Sequence, residues 1–242
     1  MGKFVIYPLH VGDLKRQKSN LAYMKEPGKE IIFPLICWYC TDGDRKVMID
    51  TGGTAPDHRW QPYTRRLEQT LEHQLKQLGV KAEEITDVIF THLHWDHAGN
   101  NHLFNNAKFY AQEAELQELA HPSLPIFSGS YDKNTSFPSS VVSLEGECCL
   151  MDGIRVITTP GHSLGSQSVI VDTEKGPYVI TGDLIALYEC YESDPMIVNG
   201  IHIDLREYYE SLEKVKAVGG QILPGHDEKV LQYFSYPPAD EN

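Results

Sequence analysis

Apolar positions in the first third of the chain cluster in short runs, as strands require. Residues 3–7 form one such run, and residues 10–30 then read as polar and irregular, ending in Pro27-Gly28. Ile31–Cys40 and Lys46–Asp50 are two further strands, joined by the turn residues Thr41-Asp42-Gly43-Asp44. The second leaves abruptly through DTGG, residues 50–53. Leu67, Leu71, Leu75 and Leu78 recur at helical spacing and predict an amphipathic helix within 62–78, ended by Gly79.

The middle of the chain changes period repeatedly. An apolar run at Ile85–Phe90 precedes a short helix at Ala98–Phe104, a strand at Lys108–Ala111 and a helix at Gln112–Ala120. Residues 121–140 are rich in Pro, Ser and Gly, and read as a lid or binding loop carrying Phe127, Tyr131 and Phe137. Strands follow at 141–144, 154–158, 167–172 and 177–181. Leu205, Tyr208, Tyr209, Leu212, Val215 and Val218 mark one broad face of a helix over 205–218, before a short strand at Ile222-Leu223. Strands then helices, twice, fit two packed sheets with helices outside. No repeat and no linker divides residues 1–242, so one domain is expected.

Charge narrows the partners. The formal net charge is -13, from 34 acidic and 21 basic residues, and no sizeable basic cluster appears. Such a surface repels phosphate backbones, so nucleic acid is not an expected partner. No apolar run is long enough to cross a bilayer, and the opening MGKFVIYPLHVGDLKR lacks the layout of a secretory signal. A soluble cytoplasmic protein with no membrane partner is expected. Five cysteines form no secreted framework. Cys37 and Cys40 make a C-x-x-C inside a strand, where side chains three apart face opposite ways. They are expected as buried apolar thiols, and Cys148-Cys149 likewise.

The chemistry sits in DVIFTHLHWDHAGN, residues 87–100. An extended H-x-H puts His92 and His94 on one side of the chain, and Asp96 and His97 follow at the turn toward Gly99. Imidazole and carboxylate are ordinary ligands for zinc and similar ions. The pattern is echoed by TPGHSLGS (159–166), ITGD (180–183) and LPGHDE (223–228), each placing a His or Asp just after an apolar segment. Asp50 is a candidate acceptor for a ligand histidine N–H, whereas His58 and Asp227 read as structural or solvated.

HLHWDH with these later elements resembles the metallo-beta-lactamase superfamily, whose motif is H-x-H-x-D-H followed by a His, an Asp and a final His. The resemblance implies an α+β fold: a four-layer αββα sandwich of two mixed sheets with helices on the outer faces. It implies a two-metal site in which His92, His94 and His162 hold one ion, Asp96, His97 and His226 the other, and Asp183 bridges them. Zinc is the default for these donors, with manganese, iron or cobalt as alternatives. The proportions are most similar to the N-acyl homoserine lactonase branch, through VMIDTGG, HLHWDHAGN, TPGHSLGSQSVIV and LPGHD. That implies a quorum-quenching type of hydrolase, in which a metal-bridging hydroxide attacks the ring carbonyl of a lactone and Asp96 passes a proton to the leaving alkoxide. A homodimer is also implied.

One departure stands out. Lactonases of this branch carry a tyrosine three residues past the bridging aspartate, where this chain has Ala186. Tyr188 or Tyr191 reaches the pocket by a changed loop, or else packs. Trp95, Phe127, Tyr131 and Phe137 are the expected pocket wall. The expected substrate is a small neutral or weakly charged molecule with an ester-like or amide-like carbonyl. An amidase, a lactamase or another ester hydrolase is the alternative. No Lys or Arg is seen near His162 or Asp183, which disfavours phosphodiester cleavage.

Overall fold

The computed structural model describes residues 2–53 and 62–239, so His58 lies outside the described residues. The chain opens with β1 (Val5–Gln17) and β2 (Glu30–Thr41), which pair antiparallel along their whole length. β1 is therefore longer than the apolar run at 3–7 predicts. Its polar half, through Asp13, Lys15 and Gln17, is held in the sheet by backbone pairing to β2, and its register shifts between His10 and Gly12. β3 (Lys46–Ile49) completes the hairpin expected from the 41–44 turn. The helix predicted over 62–78 is broken: β4 (Tyr63–Thr64) and one 3-10 turn precede a short α1 (Leu71–Gln77). Thr70 is the reason, since its extended backbone interrupts the helical path and its side chain caps α1 by accepting from His73 N.

β5 (Asp87–Ile89) runs into the histidine loop, and the helix expected at 98–104 is only a 3-10 turn over Asn101–Leu103. β6 (Lys108–Gln112), α2 (Glu113–Ala120) and β7 (Val141–Leu144) follow. β8 (Cys148–Met151), which the sequence pattern did not reveal, precedes β9 (Ile154–Thr158), β10 (Gln167–Thr173) and β11 (Gly176–Ile180). A second element missed in sequence, α3 (Tyr188–Glu192), comes before α4 (Leu205–Ala217) and β12 (Gln221–Leu223).

The strands form two mixed sheets, in the orders β4-β1-β2-β3-β5-β6-β7 and β12-β11-β10-β9-β8. Period-two alternation divides their side chains between layers. Val169 and Val171 of β10 pack with Ile36, Trp38, Ile49 and Ile89 between the sheets, whereas Ile170 faces Tyr208, Leu212 and Val215 of α4. On the other outer face Leu71 and Leu75 of α1 pack with Phe90, Phe104 and Phe109. The result is the expected four-layer sandwich with helices outside.

The same alternation separates the C-x-x-C pair. Cys37 faces the helical layer beside α1, Cys40 faces the inter-sheet core, and both are fully buried. Burial raises both thiol pKa values. Cys148 is half-buried and Cys149 exposed, which corrects the expectation of burial for that pair. A maleimide pulse on native protein, read by peptide mass spectrometry, is expected to label Cys149 first and to leave Cys37 and Cys40 unlabelled until denaturant is added. Fast native labelling of either would refute their placement.

Candidate metal centre

Strand ends deliver every expected ligand to one place. β5 feeds the loop with His92, His94, Asp96 and His97, and β9 leads through Pro160-Gly161 to His162. Asp183 follows β11, and His226 follows β12 through Pro224-Gly225. Glycine at 225 answers a close approach: a Cβ there would lie 2.7 Å from Gly182 O. At 161 the φ is +128°, a conformation that L side chains rarely adopt.

Ligand atoms converge in three groups: His92 with His94 and His162, His92 with His97 and Asp183, and Asp96 with His97 and His226. Within each group they lie within 4.8 Å of one another. Asp183 Oδ1 is 2.8 Å from His226 Nε2 and 3.1 Å from His97 Nε2, and its Oδ2 is 3.3 Å from His162 Nε2. The five histidines are all buried, Asp96 is half-buried, and Asp183 is 9% exposed.

The outer nitrogens of four of these rings meet protein acceptors. His162 Nδ1 meets Ile201 O at 2.8 Å, His226 Nδ1 meets Pro34 O at 3.0 Å, and His97 Nδ1 meets Asp50 Oδ2 at 2.8 Å. The Thr91 hydroxyl donates to Asp50 Oδ2 and so presents a lone pair to His92 Nδ1 at 3.1 Å. In a neutral ring, donation outward leaves Nε2 a lone pair pointing inward, whereas His226 Nε2, 2.8 Å from Asp183 Oδ1, donates to that carboxylate here. His92 Nε2 is buried with no hydrogen-bond partner, and His97 Nε2 faces the Asp183 carboxylate at 3.1 Å without hydrogen-bond geometry. Orphaned buried acceptors cost about 1–3 kcal/mol each unless something satisfies them. A cation would. His94 Nδ1 and His162 Nε2 stand 3.0 Å apart, near the ~3.3 Å between two nitrogens on one tetrahedral zinc. The donor set fits a pair of divalent ions.

Electrostatics agree. Burial lowers the pKa of His92, His94 and His162, which favours the neutral form a ligand needs, whereas the Asp183 charge outweighs burial at His226 and raises its pKa. Burial also opposes charge on His97, but Asp50, Asp183 and Asp96 outweigh it and raise its pKa well above the usual value. Burial works against the Asp183 carboxylate too, yet His226, His162 and His97 hold its pKa well below the usual range. Negative charge thus already draws compensation from the rings around it, a load that divalent ions can take over.

Some expectations move. Tyr188 donates its hydroxyl to Ile222 O at 3.1 Å and packs against the inter-sheet core, outside the residues lining the central cavity. Tyr191 packs under α4. Of the expected wall, Trp95 lines the cavity, but Phe127, Tyr131 and Phe137 do not. Phe137 packs on Phe90 and Phe109, and Tyr131 lies edge-on to His94 with its hydroxyl on Glu115. The wall comes instead from the segment read as irregular: Leu14, Arg16, Asn20 and Leu21, with Phe33 opposite Leu14 in the β1–β2 register. Arg16 therefore corrects the reading that no basic residue stands near His162 and Asp183. Asp227 caps the turn after β12 and holds Tyr188 N, a structural role as expected.

Glu115 was missed in sequence. It is fully buried on α2 and accepts from Leu93 N, Tyr131 Oη, Ser163 Oγ and Gly165 N. One carboxylate so clamps the His92–His97 loop to the His162 loop. Only its four-residue spacing from the more exposed Leu119 marked it as inward-facing, a signal too weak to use.

A four-layer sandwich carrying a buried His/Asp cluster with orphaned imidazole lone pairs beside a cavity defines a metal-dependent hydrolase. The chain belongs to the metallo-beta-lactamase superfamily, whose profile matches residues 36–226. It is 28% identical to an N-acyl homoserine lactonase of Bacillus sp, with 92% of each chain covered. It is 30% identical to a probable metallo-hydrolase of Methanocaldococcus jannaschii over 68% of each. Among solved structures, a quorum-quenching N-acyl homoserine lactone hydrolase superposes with a TM-score of 0.83 at 26% identity, covering 95% of this chain and 94% of that one.

Removing the clamp tests how the centre is held. Glu115→Ala leaves two buried backbone N–H groups without acceptors and is expected to cost about 2–5 kcal/mol, read as a lower urea midpoint. A loss below about 1 kcal/mol would show that the two loops hold their places without it.

Proposed function

We propose that this protein opens a small lactone to its hydroxy acid. The observation that carries the reading is the set of converging imidazole lone pairs beside a narrow cavity, in a chain that matches N-acyl homoserine lactonases over nearly its whole length. His92, His94 and His162 would hold one divalent ion, Asp96, His97 and His226 a second, with Asp183 between them. Zinc is the proposed metal, because the donors are imidazole nitrogens and carboxylate oxygens. Two such ions supply a nucleophile at neutral pH and charge compensation for the carbonyl oxygen.

The chain's own residues do the rest. Leu14, Leu21, Phe33 and Trp95 wall the cavity and shed water from it. Asp96, half-buried at the cavity, would carry a proton to the departing ring oxygen on a carboxylate oxygen left free of the ion. Tyr188 is proposed as a packing residue, because its hydroxyl is spent on Ile222 O. The cavity at the centre is narrow, about 30 Å³, which favours a small ring over a bulky substrate. A cytoplasmic location is proposed because all five cysteines are unpaired.

The test is proton release by metal-analysed protein against small γ- and δ-lactones, acyl homoserine lactones, matched open esters and lactams. Lactone-specific acidification is expected. Asp96→Ala and Asp183→Ala are expected to lower turnover by about 100-fold or more. Wild-type turnover in either variant at full metal content would refute the assignment. Chelation should abolish turnover and lower the melting temperature, since a ligand bound only by the folded state stabilises it. Tyr188→Phe is expected to change kcat less than about 3-fold, and a 100-fold loss would restore it to the chemistry.

A further inference from the structure

The cavity beside Asp96 and Asp183 also contains a guanidinium. Leu14 and Arg16 are two apart on β1, so both side chains fall on the face that lines the cavity. Arg16 Nε is buried and has no hydrogen-bond partner. Other cations of this segment are engaged: Lys15 pairs with Glu30 at 2.7 Å, and Lys18 pairs with Glu189 at 2.9 Å and Glu26 at 3.2 Å. Burial pushes the Arg16 pKa down while the fields of Asp96 and Asp183 push it up, and a guanidinium stays charged throughout. An aimed, half-desolvated cation with an open donor is costly to keep unless a ligand completes it.

Asp96 and Asp183 are poor partners for it, because on the reading above both are drawn to the metal ions. Leu14, Leu21, Phe33 and Trp95 around it are apolar and offer no counter-charge. We propose that Arg16 is a specificity residue that receives a carboxylate borne by the substrate, so that the preferred lactone carries an anionic substituent close to its ester. The proposal rests on the lactone-opening reading and names its substrate class. The planar fork of arginine matches a carboxylate with two parallel hydrogen bonds. Among the described residues no Lys or second Arg lines this cavity, which suits a carboxylate better than a phosphate dianion. The narrow cavity sets the anion close to the scissile bond. The formal net charge of -13 disfavours anions at long range, so recognition is left to this one internal group.

The experiment compares a γ-lactone bearing a ring carboxylate with its carboxamide twin, on zinc-loaded wild type, Arg16→Met and Arg16→Lys. In wild type, kcat/KM should favour the carboxylate by roughly 10- to 100-fold, the range of one charge-assisted hydrogen-bond pair. Arg16→Met should collapse that ratio to about one, and Arg16→Lys should keep part of it. Calorimetry with the corresponding five-membered lactam carboxylate and lactam carboxamide reads the same preference as affinity, independently of turnover. Circular dichroism checks each variant's fold. Lactam carboxylate binding that depends on Arg16, with no lactone turned over, would uphold the anion site and sink the hydrolytic reading. Lactone turnover with no carboxylate preference, or a preference that survives Arg16→Met, overturns the proposal. So does Arg16-dependent binding of inorganic phosphate that exceeds that of every carboxylate.

Discussion

Asp183 is a carboxylate with almost no access to water, and a buried charge must find compensation or be neutralised. It finds it in His97, His162 and His226, which arrive from three separate strand ends. Each of these rings is aimed by a different acceptor, Asp50, Ile201 O or Pro34 O. Misplacing any one would leave a charge or a lone pair stranded in the core. The two sheets must therefore present their loops at one edge, in one register, for the centre to be tolerable at all.

Two polar side chains transmit that requirement into the frame. Gln167, at the start of β10, donates to Phe90 O just before the histidine loop and accepts from Gln112 at the end of β6. Together with Glu115, it stitches the larger sheet's loops to the smaller sheet beside the cluster. Asp50 does the same from β3: it sits at a φ of +58°, accepts from Thr91 N and Oγ1, and orients His97. None of these groups lines the central cavity, yet Asp50 sets which nitrogen of His97 faces inward and the other two hold the loops that carry the rings.

The candidate ligands were legible because they are scarce residue types at fixed spacing after apolar strands. Most strands were legible for the same reason, since burial on both faces leaves continuous apolar runs. What failed was held by partners distant in sequence. The polar half of β1 is a strand because β2 lies beside it, and no local pattern shows that. Glu115 looks like any surface glutamate of a helix until four donors from other loops surround it. The 62–78 segment keeps its leucine spacing, yet Leu67 is 76% exposed because Thr70 restarts the helix. Aromatic residues in the 121–140 loop were assigned to the wall by composition, but Phe137 and Tyr131 serve the packing beneath it.

Chemistry and selection are carried by different parts of this fold. Strand-end loops hold the His/Asp cluster, and their geometry is fixed by the buried network around Asp183 and Asp50. The facing wall comes from β1, whose residues 14 and 16 alternate into the cavity while its backbone stays paired to β2. The Tyr188 phenol is spent on Ile222 O, and the charged donor that lines the wall is the Arg16 guanidinium. A neutral phenol contributes about 1 kcal/mol of hydrogen bonding to a carbonyl of any lactone, whereas a charged donor gives about 1.5–3 kcal/mol and only to a suitable acceptor. On the reading proposed above, a charged donor at position 16 would favour selectivity over breadth.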